Sequence, residues 1–178
     1  MKALAIIYDG FEECEAVSPF ALLRRANIEL TITSDKNTVV GSHNISLTNI
    51  CNINEINYKE YDCLIIPGGA HYKNLKSNTL VHKIIKYFMD NNKIVSAICA
   101  APTIIGMLGY LKERNYTCFT AMNDDFGGNY IETGVVVDGN LITARSVAYA
   151  IDFGYAIIEK MMGLEKLNEV LEKIYYEK

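Results

Sequence analysis

The stretch that decides the fold is Lys93-Ile94-Val95-Ser96-Ala97-Ile98-Cys99-Ala100-Ala101-Pro102. It opens apolar and β-branched, turns small at Ala97, Cys99, Ala100 and Ala101, and ends on proline. A short apolar run bounded by turn residues reads as a buried strand. Pro102 has no N–H to lose in the first turn of a helix, so a helix is predicted to begin near it. The uncharged run 94–111 reaches the roughly 18 residues at which a membrane span is considered. However, Pro102, Gly106 and Gly109 interrupt it. The expectation is a buried strand running into a buried helix, with no membrane contact.

The same alternation continues on both sides. Strands are predicted at 3–8, 28–33, 63–66 and 93–98, the third stopped by Pro67-Gly68-Gly69. Helices are predicted at 13–26, with Val17, Phe20, Ala21 and Leu23 or Arg24 over successive turns, and from a cap at Asn78 or Thr79 to about 91, with Leu80, Ile84, Ile85 and Phe88 on one face. Segments 134–138 and 141–143 flank Asp138-Gly139-Asn140, a hairpin signal. A helix over 147–162 ends at Gly163, and a last one runs from 164 to about Tyr176. Strands alternating with helices imply βαβ units, and hence a mainly parallel sheet covered on both faces. The predicted class is an α/β sandwich formed by one domain over 1–178. Ligands bind such sheets beyond the carboxyl ends of the strands, where the residues of interest fall.

Composition narrows the function. The chain has 178 residues, half of them hydrophobic, and a net charge of −4. That length buries about two-thirds of the unfolded surface, so no disulfide staples are needed. A mildly acidic chain with scattered charges offers no nucleic-acid surface. Its five cysteines are odd in number, with no C-x-x-C spacing, which suits a reducing compartment. The first apolar run is too short for a signal peptide. The expected location is the cytoplasm.

Three elements could carry chemistry. Cys99 lies between strand and helix, where a sharp turn with small neighbours exposes a nucleophile. A helix start presents free N–H groups that favour thiolate, so its pKa is expected to fall. The competing reading is an inert buried cysteine. Pro67-Gly68-Gly69-Ala70 follows a strand, and its N–H groups could form an oxyanion nest. Asp9-Gly10-Phe11-Glu12-Glu13-Cys14-Glu15-Ala16 opens the first helix. Its acids suit capping, but an inward Glu15 would hold a raised pKa and could move protons beside a thiolate. His43, His71 and His82 show no metal-ligand spacing, and His82 reads as a surface residue.

In their order, Glu-Glu-x-Glu-Ala, Pro-Gly-Gly and Ala-Ile-Cys-Ala-Ala-Pro resemble the ThiJ/PfpI superfamily, and most closely its DJ-one and YajL-like branch. Ala150-Ile151-Asp152-Phe153-Gly154 and the closing helix extend the likeness along the chain. The resemblance implies a flavodoxin-like sandwich, a homodimer, a reactive Cys99 and a protonated Glu15. It also implies an oxyanion site at the amides near Gly68, Gly69 and Ala100, and Arg145 near the pocket. The implied activity needs no cofactor or metal. It is glyoxalase chemistry on small 2-oxoaldehydes, or deglycation of glycated proteins. The alternative is an oxidation-sensing stress protein or redox-regulated chaperone using the same cysteine. The chain departs from the pattern in four places. Phe119 stands where the family's human member has a histidine. Ala100 stands where the protease-like branch has one, which argues against peptidase activity. His43 falls where some relatives carry arginine, and Ser146-Val147-Ala148-Tyr149 replaces a Gly-Pro-Gly-Thr turn, which is expected to reshape the pocket.

Overall fold

The computed structural model describes residues 1–175. Its centre is a seven-stranded sheet. The strands in chain order are β1 (Lys2–Ile6), β2 (Glu29–Ser34), β3 (Cys51–Asn52), β4 (Cys63–Ile66), β5 (Ile94–Ile98), β6 (Val135–Asp138) and β7 (Leu141–Ala144). Their order across the sheet is β6-β7-β5-β4-β1-β2-β3. All neighbours are parallel except β6 and β7, which pair antiparallel through the predicted hairpin at Gly139. The helices are α1 (Glu13–Arg25), α2 (Tyr72–Leu75), α3 (Thr79–Asp90), α4 (Pro102–Met107), α5 (Ala150–Met162) and α6 (Leu164–Lys173).

Two cores follow from the period of the strands, whose successive side chains point to opposite faces. On one face Ala3, Ala5, Cys63 and Ile65 pack with Phe20, Leu23, Phe153 and Ile157 of α1 and α5. On the other, Leu4, Ile6, Leu64, Ile66, Val95 and Ala97 pack with Val81, Ile85 and Phe88 of α3 and Ile104 and Ile105 of α4. Both faces of β4 are therefore buried, which is why its sequence is uniformly apolar. Gly154 lets α5 lie against α1, since a Cβ there would come within 3.1 Å of the Pro19 Cα.

The predicted elements occur at nearly the predicted places. β1 stops at Ile6 rather than residue 8: the Ile7 N–H still bonds Thr33 O at 3.0 Å, but the Tyr8 carbonyl already accepts from the Phe11 N–H in the turn toward α1. Asn78 is the cap of α3, its Oδ1 accepting from the N–H groups of Leu80 and Val81. A single 3-10 turn, Val147–Tyr149, precedes α5 within the predicted helix. The far end expected for α6, Tyr176, lies outside the described residues. Among the described residues no helix is long and apolar enough to cross a membrane.

The chain places β2 and β3 on one side of β1, and β4, β5 and β7 on the other. The switch in direction falls between β1 and β4, and such points open a crevice at the carboxyl ends. The loops leaving β1, β4 and β5 meet there. They carry Glu15, Gly68 with Gly69, and Cys99.

Candidate active site

Cys99 follows β5 in a left-handed backbone conformation, with φ +63°. A residue with a Cβ pays about 1–2 kcal/mol to sit there, so neighbours must impose it. They do so through its backbone. The Cys99 N–H donates to the Ala144 carbonyl at 2.9 Å, and its carbonyl accepts from the Phe119 N–H at 2.8 Å. Ala101 N–H closes the turn on Ile98 O at 3.1 Å. The elbow turns the half-buried side chain toward the crevice.

Glu15 comes from α1 and is 1% exposed. The capping role is taken by Glu12, whose carboxylate accepts from the Glu15 N–H at 2.6 Å. Glu15 is thereby free to point inward. Its Oε2 accepts from the Gly68 N–H at 2.9 Å, and its carboxyl is hydrogen-bonded to Cys99. The approach requires a glycine at 68. A Cβ there would lie 2.6 Å from the Cys99 Cβ, and closer still to Glu15 Oε2. Gly69, at φ +98°, folds back to bridge Phe11 and to aim its N–H at the sulfur, as Ala100 does.

Burial sets the protonation of the pair. It pushes the Glu15 carboxyl up to about 7; the bonds from Cys99 and Gly68 oppose the rise, and the Glu12 charge adds to it. Burial, then the charge and hydrogen bond of Glu15, push the Cys99 thiol up to about 12, against the amides of Ala100 and Gly69. This corrects the expectation of a lowered thiol pKa. The helix after the elbow has six residues, and its end does not outweigh desolvation and an adjacent carboxylate. The pair passes from two protons to one as Glu15 ionises at about 7, and above that the thiol stands beside a Glu15 carboxylate that can take its proton.

The other expected site residues are distributed unevenly. Ala100 and Gly69 are at the sulfur. Phe119 touches Cys99 through its backbone, and the residue is 43% exposed. Arg145 follows β7, but its guanidinium is engaged by Thr120 Oγ1 and Glu132 Oε1, both at 2.9 Å. His43 is paired with the start of α1. Its ring bonds Glu13 Oε2 at 2.8 Å and its side chain is 70% exposed. His43, Glu12 and Glu13 bring their donor atoms within 4.8 Å of one another, a cluster accounted for by that ion pair. Tyr149 packs over Gly134, so the altered turn braces β6 while Val147 faces solvent. His82 is partly buried, with Nε2 3.1 Å from Leu75 O, rather than a surface residue. One group escaped sequence reasoning: His71, which is fully buried beneath the Pro67–Gly69 turn. Only its place one residue beyond Pro67-Gly68-Gly69-Ala70 hinted at a role.

Residues 1–160 match the DJ-1/PfpI family, and the chain belongs to it. Protein dj-1beta of Drosophila melanogaster is 30% identical over 95% of this chain and 94% of its own. The crystal structure of that protein superposes with a TM-score of 0.91, covering 99% of this chain and 98% of the other at 28% identity. Protein DJ-1 homolog B of Arabidopsis thaliana is 34% identical over 93% of this chain, which spans only 39% of that longer protein. A protein named deglycase PfpI, from Pyrococcus furiosus, is 32% identical over 82% of this chain and 90% of its own.

Proposed function

We propose that the chain is a cofactor-independent cysteine enzyme acting on small 2-oxoaldehydes or on the early adducts they form with protein amines. The observation that carries this reading is the buried Glu15 carboxyl hydrogen-bonded to Cys99 at a strained elbow. The deglycase name of the Pyrococcus relative supports the substrate class.

The proposed steps use these groups in turn. Sulfur attacks the aldehyde carbon as Glu15 takes the thiol proton. The carbonyl electrons move onto oxygen, which the Gly69 and Ala100 amides receive. Glu15 returns its proton to that oxygen, giving a hemithioacetal. The freed carboxylate then removes the hydrogen from the same carbon; the adjacent carbonyl oxygen takes the proton that leaves the hydroxyl as that hydroxyl becomes the thioester carbonyl, and Glu15 delivers its hydrogen to the adjacent carbon. The product of this internal redox isomerisation is a thioester of a 2-hydroxy acid. Water cleaves it and restores the thiol. An amine adduct enters by displacement: the C–S bond forms as the C–N bond breaks, the thiol proton passes through Glu15 to the leaving amine, and the same hemithioacetal results.

The homodimer implied by the family resemblance, the small-aldehyde or glycated-protein partner and the cytoplasmic location belong to the same proposal. Methylglyoxal consumption by wild type and Cys99→Ala tests it. The variant is expected to stay folded by circular dichroism and to convert none. Retained conversion refutes the mechanism.

A further inference from the structure

His71 takes no part in the steps above, yet it is 0% exposed. Both ring nitrogens are engaged: the Tyr8 N–H donates to Nδ1 at 3.2 Å, and Nε2 lies 2.8 Å from the Pro67 carbonyl oxygen. A donor at one nitrogen and an acceptor at the other admit one form, the neutral ring with its proton on Nε2. Burial works in the same direction, pushing the pKa down to about 4. The Pro67 carbonyl belongs to the same peptide unit as the Gly68 N–H. That N–H donates to Glu15 Oε2 at 2.9 Å. A single peptide plane is therefore held by His71 at its oxygen and by Glu15 at its N–H. Backbone bonds tie the same two loops, His71 N–H to Gly10 O at 3.0 Å and Glu12 N–H to Gly68 O at 2.9 Å.

We propose that His71 is a positioning residue for the Cys99–Glu15 pair, fixing and polarising, through the Pro67–Gly68 peptide, the N–H that holds Glu15 against the sulfur. The proposal rests on the function assigned to that pair above. Two effects act together. A hydrogen bond accepted at a carbonyl strengthens the N–H of the same peptide as a donor. The clamp also fixes the plane of a turn that two glycines would otherwise leave soft, and with it the next N–H, that of Gly69.

The test is the rate of iodoacetamide alkylation at Cys99 against pH, read by peptide mass spectrometry. It uses the full chain as wild type, Glu15→Gln, His71→Gln, His71→Asn and His71→Leu. Glutamine can place an N–H where Nε2 stands and keep the Pro67 bond. Asparagine can place its oxygen near Nδ1 and keeps only the Tyr8 bond, and leucine keeps neither. The expected midpoint of the wild-type profile is set by Glu15 and is lost in Glu15→Gln. His71→Gln should retain that midpoint, while His71→Asn and His71→Leu move it upward by roughly 0.5–1 unit, since the carboxylate is held less well. A merely structural role lowers the Tm of all three variants and leaves the midpoint in place, which would overturn the proposal. So would a glutamine variant that shifts as far as asparagine. If His71→Leu does not fold, the asparagine–glutamine contrast decides alone. A wild-type midpoint unmoved by Glu15→Gln overturns the pair and the positioning role together. Alkylation needs no substrate, so absent methylglyoxal turnover with the expected midpoints sinks only the enzyme reading.

Discussion

Replacing Glu15 by glutamine should make the fold more stable at alkaline pH, and the size of the effect follows from its burial. Glutamine keeps an oxygen for the Gly68 N–H and an N–H for the sulfur, so the neutral contacts survive. What it removes is the cost of ionising a carboxyl that is 1% exposed. The carboxyl titrates at about 7 in the folded chain against an ordinary 4.5. Between those values the folded state holds a proton that the unfolded state has lost. Stability is full below the unfolded pKa and falls as pH rises through the folded one. The shift corresponds to about 3 kcal/mol. Urea unfolding at pH 4 and pH 8, at equal protein concentration, measures it. The pH dependence of other groups cancels in the difference between variant and wild type. The variant should gain about 3 kcal/mol relative to wild type between the two pH values, which is about 1–2 M in urea midpoint for a chain this size. A difference that stays flat from pH 4 to pH 8 would show that Glu15 ionises as an exposed acid, and the burial argument would be wrong.

Further outcomes follow from the same geometry. Gly68→Ala should slow both Cys99 alkylation and turnover by about 100-fold or more, because the added Cβ displaces the sulfur or the carboxyl; stopped-flow alkylation reads this directly. Cys99→Gly should be more stable than Cys99→Ala by about 1 kcal/mol, since glycine relieves the left-handed backbone, and urea midpoints of the two inactive variants compare them. His71 titrates near 4 rather than 6.5, so it favours the fold above pH 6.5 and that contribution is lost as pH falls through 4. Acid unfolding of His71→Gln should accordingly lack about 3 kcal/mol of the wild-type pH slope.

Much of this architecture was legible in the sequence, for physical reasons. β4 and β5 are buried on both faces, so their runs are apolar except for Ser96, whose hydroxyl is paired with the Cys63 sulfur, and Pro67 and Pro102 lie just beyond them. The elbow at Cys99 showed itself by its small neighbours, needed where strand turns into helix. Other features left no such trace. Strand β3 has two residues and sits at the sheet edge, too short for any period. Glu12, Glu13 and Glu15 are the same residue type within one turn, and only packing decides that Glu12 caps while Glu15 turns inward. The thiol's raised pKa depends on burial beside that carboxylate, which spacing along the chain does not contain. His71 is held across 63 residues by the Tyr8 N–H, and a lone histidine in a loop carries no pattern.

The central claim is that Glu15 accepts the Cys99 proton during turnover. The most direct measurement is kcat/KM for methylglyoxal conversion as a function of pH, in wild type and Glu15→Gln. For the free enzyme this ratio reports the ionisation of the essential base. The activity should rise through about pH 7, the Glu15 value, and be absent at every pH in the variant. Activity in Glu15→Gln comparable to wild type, or a wild-type profile that is flat across pH 7, would contradict the account.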